Sequence, residues 1–250
     1  MDIKNKTVIV TGASSGIGLA TAKLLARRGA KLALASRSKD KLEKLASELP
    51  GSLAVPVDMT KSSEIRRMVD RAEGHFGRID ALINNAGQGY DAPIEKIDVR
   101  TLHYIFDLDV VGPLVAMQHV IPLMRKQGGG AIVNISSGLA LMYLPGMSGY
   151  ASLKSALVNI SLTAREELKK DKITVSVVYP YITSTDFEKN TIKSSPGSEW
   201  EQEGGEGEEG GSPYKADSAE FVAQKILEAL ESGAAEVFAH DWMKNPDRES

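Results

Sequence analysis

The 250-residue sequence predicts an α/β fold, a doubly wound parallel sheet of about seven strands with helices on both faces. Three observations predict it. Short apolar runs alternate with longer amphipathic stretches along most of the chain. Several of the runs are apolar throughout, as strands buried on both faces are. A glycine-rich turn joins the first run to the first amphipathic stretch, where such sheets bind anions.

In chain order, the apolar runs at 7–10, 31–35, 53–57, 81–84, 131–135, 174–178 and 236–239 read as strands. The stretches at 16–28, 39–49, 62–76, 99–124, 150–169 and 218–230 carry the helical pattern. No internal repeat or interdomain linker interrupts the alternation, so one domain spanning 1–250 is expected. One segment departs from it. Residues 195–212 hold six Glu and six Gly and no Lys or Arg, which outweighs the whole net charge of −3. Gly and like charge do not support packing, so a solvated acidic loop is expected there, with a mobile lid over a site as the alternative.

The composition, 42% hydrophobic and 25% charged, is that of a soluble globular chain. Zero cysteines exclude a disulfide framework, a thiol nucleophile and Cys-ligated metal. His75, His103, His119 and His240 show no metal-ligand spacing, so no metal site is expected. The absence of a Lys/Arg block argues against nucleic acid. No apolar run approaches the roughly 18 residues of a membrane span, and the start lacks a signal-peptide layout. A cytoplasmic protein is therefore expected.

The first strand runs into Thr11-Gly12-Ala13-Ser14-Ser15-Gly16-Ile17-Gly18 and then a helix. Glycines there let the backbone turn tightly and approach a pyrophosphate, which the helix N-terminus attracts. Further along stand Val57-Asp58-Met59-Thr60, Asn84-Asn85-Ala86-Gly87, Tyr150-Ala151-Ser152-Leu153-Lys154, and Ser137, thirteen residues before Tyr150. In this order and spacing the motifs resemble the short-chain dehydrogenase/reductase family, over most of the chain.

The resemblance implies a Rossmann-like fold, a nicotinamide dinucleotide cofactor and hydride transfer between a carbonyl and an alcohol. It implies that Gly12, Ser14, Ser15, Gly16, Ile17 and Gly18 hold the pyrophosphate, that Asp58 and Met59 lie at the adenine, and that Asn85, Ala86 and Gly87 line the cofactor. Ser137, Tyr150 and Lys154 would be catalytic, with Lys154 also on the nicotinamide ribose. Subunit contacts through 99–124 and 150–169, giving a homodimer or homotetramer, are also implied.

The spacing of the Tyr–Lys pair supports the chemistry that the resemblance implies. Residues i and i+4 share a helix face, so Lys154 stands beside Tyr150. Lowering a tyrosine pKa from about 10 by about three units takes roughly 4 kcal/mol. The ammonium and an oxidised nicotinamide are expected to supply it. Tyr150 then acts as acid or base, and Ser137 fixes the substrate oxygen.

Cofactor choice is written after the second strand. An acid there suits a ribose hydroxyl and a cation suits a 2′-phosphate. Ser36 and Arg37 occupy that place, and the guanidinium fork favours NADP(H) over NAD.

Two positions depart from the family. Asp109, 28 residues before Ser137, stands where the family has its fourth catalytic residue, an asparagine. An ionised aspartate accepts hydrogen bonds but donates none, and its charge pulls toward Lys154. Pro180-Tyr181-Ile182-Thr183-Ser184-Thr185 carries tyrosine where the family has glycine, close to the expected nicotinamide. Tyr181 walls the substrate pocket or narrows it; Thr183 still offers its backbone to the carboxamide. Large apolar residues at 139–147 favour a neutral apolar carbonyl substrate. The alternative is a cofactor-binding sensor without turnover on the same fold.

Overall fold

The computed structural model describes residues 1–187, 189–194 and 216–244, and the acidic Gly-rich stretch 195–212 falls outside the described residues. Among the described residues, seven parallel strands form the central sheet: β1 (Thr7–Thr11), β2 (Lys31–Ser36), β3 (Ser52–Pro56), β4 (Ala81–Asn84), β5 (Gly130–Ile135), β6 (Ile173–Tyr179) and β7 (Glu236–Phe238). Their order is β7-β6-β5-β4-β1-β2-β3. The chain starts in the middle, winds outward to β3, then returns to the other side of β1. The loops leaving β1 and β4 therefore diverge and open a crevice at the carboxyl edge.

Period-two burial divides the sheet between two cores. Val8 and Val10 of β1 face one layer, with α1 (Gly16–Arg27), α2 (Lys39–Glu48) and the C-terminal helix α7 (Ala219–Ser232). Ile9 faces the other, with α3 (Ser62–Phe76), α5 (Gly112–Gln127) and the end of α6 (Ser148–Leu168). The register Thr11↔Ala35 and Asn84↔Asn134 brings the strand ends to one edge, where the motif residues lie.

The helical stretch expected at 99–124 is not one regular helix. α4 (Val99–Phe106), capped by the Asp98 carboxylate on the Thr101 N–H, gives way to a π turn at Asp107–Val111 before α5 begins. Gly112 permits close passage, since a Cβ there would stand 2.5 Å from the Met59 carbonyl oxygen. The turn leaves Asp107 exposed and buries Asp109 completely. The rod Val99–Gln127 is also long and apolar enough to cross a membrane by length and composition, contrary to the sequence-based expectation. Half of its most apolar stretch is buried, and α5 packs against α3 beside the sheet as a core helix does.

Two small parallel pairs sit outside the sheet. Tyr90–Asp91 pairs with Ile192–Lys193, and Thr183–Ser184 with Asp217–Ser218. They fasten the chain after β6 to the segments on either side of the crevice.

Candidate functional site

At the end of β1 the backbone turns through Gly12 and Gly16, with φ of 67° and 50°. A Cβ on Gly12 would lie 2.7 Å from the Asn85 amide nitrogen, and one on Gly18 would run into the Gly12 carbonyl oxygen. Thr11 knits this turn to the one after β4. Its hydroxyl donates to the Ile83 carbonyl at 3.2 Å and accepts from the Asn85 and Ala86 N–H groups at 2.9 and 3.1 Å. The Asn85 side chain returns a bond to the Thr11 carbonyl at 2.9 Å. α1 then starts at Gly16 behind an extended Ser15 that makes no side-chain cap and with no acid in its first turn. Open amides and a positive helix end fit a pyrophosphate over Ser14–Gly18. Thr185 closes the other wall, since a Cβ on Gly16 would be 3.4 Å from its side chain.

Gly18→Ala should cost about 1–3 kcal/mol, because the clash is with backbone rather than a movable side chain. Thermal unfolding and dinucleotide titration check it, with a lower melting temperature and weaker binding expected together.

The catalytic candidates converge across the crevice. Ser137 leaves β5 as the cap of a short 3₁₀ turn, its hydroxyl accepting from the Leu139 N–H at 3.2 Å. Tyr150 and Lys154 are buried on the first turns of α6. The Lys154 Nζ lies 5.6 Å from the Tyr150 ring centre and donates to the Ile135 carbonyl at 3.1 Å. It also lies 3.0 Å from Asp109 Oδ2, a close ion pair rather than an aligned hydrogen bond. Asp109 Oδ1 accepts from the Gln88 N–H at 3.0 Å. Gly87 is required beside it, since a Cβ there would stand 2.9 Å from Oδ2.

The model of the short chain dehydrogenase family matches residues 6–195. The chain belongs to that family. A relative from Arabidopsis thaliana, 11-beta-hydroxysteroid dehydrogenase-like 2, is 32% identical over 249 residues, covering 97% of this chain and 76% of that one. A short chain dehydrogenase from Burkholderia cenocepacia, solved in complex with NADP, superposes with a TM-score of 0.80 at 27% identity, covering 98% of this chain and 92% of the other. A 7α-hydroxysteroid dehydrogenase solved with NADH and 7-oxo glycochenodeoxycholic acid gives a TM-score of 0.83 at 26% identity, covering 94% and 92%. The chain is an oxidoreductase of this type with the Rossmann-like fold, and a nicotinamide dinucleotide is its class of cofactor.

In this short-chain dehydrogenase the protein groups alone raise the Tyr150 pKa, so any lowering would have to come from the nicotinamide charge. Burial pushes the phenol up; Lys154 and the Ser137 hydroxyl pull it down, the Asp109 charge adds to the rise, and the balance lies above the ordinary tyrosine range. Burial opposes the Lys154 ammonium too, but Asp109 and Tyr150 outweigh it and hold it above the usual lysine range. Burial also raises Asp109, against the pull of Lys154. Helical spacing foretold the cation beside the tyrosine but not its neutralisation from another helix.

At the adenosine end, Ser36 closes β2 and its hydroxyl accepts from the Ser38 N–H at 3.2 Å. Arg37 is exposed, and its guanidinium donates to the Tyr104 hydroxyl of α4 at 3.2 Å. Asp58 accepts from the Thr60 N–H and hydroxyl at 3.0 and 2.8 Å. Partial burial works against its charge, yet Thr60, Lys61 and Arg37 together hold its carboxyl below the usual range. Met59 is buried beside it.

Tyr181 packs into an aromatic cluster, 5.0 Å from the Trp242 ring and 6.1 Å from His240. Pro180 accepts the Gly138 N–H at 2.7 Å, locking this loop onto the Ser137 turn, and the Thr183 hydroxyl donates to the Tyr181 carbonyl at 2.9 Å. The stretch expected to line the substrate pocket divides. Leu139 and Met147 pack against the cluster that holds Tyr150. Met142, Tyr143, Leu144 and Pro145 border a groove of about 410 Å³ against α6, which Leu139 lines as well. Sequence motifs missed Tyr104 and Phe187, whose ring lies 6.0 Å from Tyr150. Each is a lone aromatic in no motif, and only the fold sets it against a motif residue.

Proposed function

We propose that this protein is an NADP(H)-dependent oxidoreductase interconverting a neutral apolar ketone or aldehyde and its alcohol. The observation that carries this reading is the convergence of Ser137, Tyr150 and Lys154 beside the glycine turn. When bound, the dinucleotide supplies or accepts the hydride. Tyr150 exchanges the proton with the substrate oxygen, and the Ser137 hydroxyl holds that oxygen in place. Lys154 stands beside the tyrosine and would hold the nicotinamide ribose. Phe187, Leu139 and Met147 around Tyr150 supply apolar surface that suits an uncharged substrate.

Arg37 supports NADP(H), since its exposed fork stands at the end of β2 with its direction set by Tyr104. Arg37→Asp should shift the ratio of NADPH to NADH efficiency toward NADH by at least about tenfold, by removing the phosphate partner and adding repulsion. Tyr104→Phe should shift it the same way by a smaller factor. Steady-state kinetics with both cofactors decide; an unmoved ratio in Arg37→Asp rejects the NADP(H) assignment. The function itself is tested by multiple-turnover oxidation of NADPH with a panel of neutral and anionic ketones. Binding without turnover across the whole panel would replace the enzyme reading with that of a sensor.

A further inference from the structure

The structure turns the expected pull of Asp109 toward Lys154 into a buried ion pair. Both side chains are buried, the carboxylate completely, and their charged atoms are 3.0 Å apart. The π turn delivers Asp109, the Gln88 N–H holds one of its oxygens, and Gly87 leaves room for the other. With Asp109 ionised and Lys154 protonated, the pair carries no net charge. The charged groups facing Tyr150 are Lys154 from its own helix and Asp109 from the π turn. The Ser137 hydroxyl and the Phe187 ring complete its surroundings.

We infer that Asp109 turns Lys154 from a free cation into half of a neutral pair, so that Tyr150 rests as a phenol and the site is set for carbonyl reduction. This deepens the proposed function and rests on it. In the reducing direction the carbonyl carbon accepts a hydride with its electron pair from the reduced dinucleotide, and the C=O π bond opens. The Tyr150 O–H bond breaks and its proton passes to the substrate oxygen, giving the alcohol. The phenolate left behind regains a proton from water. The dinucleotide is oxidised by two electrons and the carbonyl is reduced by two. Reduction needs the phenol, which is present at neutral pH; oxidation needs the phenolate, which is scarce until alkaline pH. Asp109 is thus a positioning residue that acts through Lys154.

The test is a near-ultraviolet titration of tyrosinate in the native protein and in Asp109→Asn. Subtracting the curve of Tyr150→Phe, or of the double variant, isolates Tyr150 among the seven tyrosines. The native midpoint is expected above the ordinary value of 10.0. Asp109→Asn keeps the shape and removes the charge, so its midpoint should fall by at least about one unit, a tenfold change in phenolate at a given pH. The ratio of alcohol oxidation to carbonyl reduction at neutral pH should rise by about the same factor. A native midpoint below 10.0 overturns the inference. So does an unmoved midpoint in the variant, or a moved midpoint with an unmoved ratio. Should Asp109→Asn fail to fold, as circular dichroism would reveal, the native titration alone decides. The titration requires no turnover. A shifted midpoint in a protein that reduces no carbonyl would support the charge assignment and reject the proposed function instead.

Discussion

Tyr150→Phe is expected to lower turnover by about 10²–10⁴-fold while leaving dinucleotide binding nearly intact. The substitution removes one oxygen and keeps a ring that is buried in the apolar cluster with Tyr90, Val110 and Leu153. The fold should tolerate it, because ring packing and the 6.0 Å approach of Phe187 do not depend on the hydroxyl. What is lost is the proton that must reach the substrate oxygen as hydride arrives. Stopped-flow kinetics with saturating cofactor separate this loss from binding. A variant that keeps a tenth of native turnover would mean that the proton comes from another group.

Lys154→Met is expected to act on three quantities at once. Turnover falls because the tyrosine loses its nearest cation, and dinucleotide affinity falls with the proposed ribose contact. Stability falls as well. Breaking one side of a buried ion pair typically costs about 3–5 kcal/mol, because the remaining charge has no compensation. Here that charge is Asp109, which burial already raises. In the variant it should keep its proton to a pH above the usual carboxylate range. A raised folded-state carboxyl pKa means that the folded state binds more protons than the unfolded one, so the variant should lose stability as pH rises through that value. Chemical denaturation at two pH values measures this. Adding Asp109→Asn to Lys154→Met should recover most of the stability and none of the turnover. Recovery of both would show that Lys154 serves packing alone.

Much of this arrangement is legible in the sequence because its signals are local. Continuous apolar runs such as Thr7–Thr11 are buried in the sheet, and the glycines at 12 and 18 stand where a Cβ meets backbone. The i, i+4 spacing of Tyr150 and Lys154 foretells their contact because both lie on one helix. What escapes the sequence is non-local. The π turn inserts its wide turn into a stretch whose apolar pattern reads as one helix, and the complete burial of Asp109 between Lys154 and the Gln88 N–H depends on three separate elements. The sign of the Tyr150 shift escapes for the same reason, since burial is the largest influence on it and depends on the whole fold. The aromatic company of Tyr181 comes from Trp242 and His240, about sixty residues away in the chain.

The rod that carries the π turn has a bearing on how this molecule can be changed. Tyr104 and Asp109 stand five residues apart on it, roughly 7.5 Å along the axis if the rise were that of a regular helix. The first touches Arg37, the residue that discriminates between dinucleotides in our proposal, and the second touches Lys154. Selection for a different cofactor that worked by moving or re-phasing this rod would carry Asp109 with it and disturb the resting proton of Tyr150. Selection that worked at Arg37 alone would leave the proton in place. Evolution and engineering are therefore offered two unequal routes to a new cofactor, and the one through the β2 loop is the one along which catalysis can be conserved.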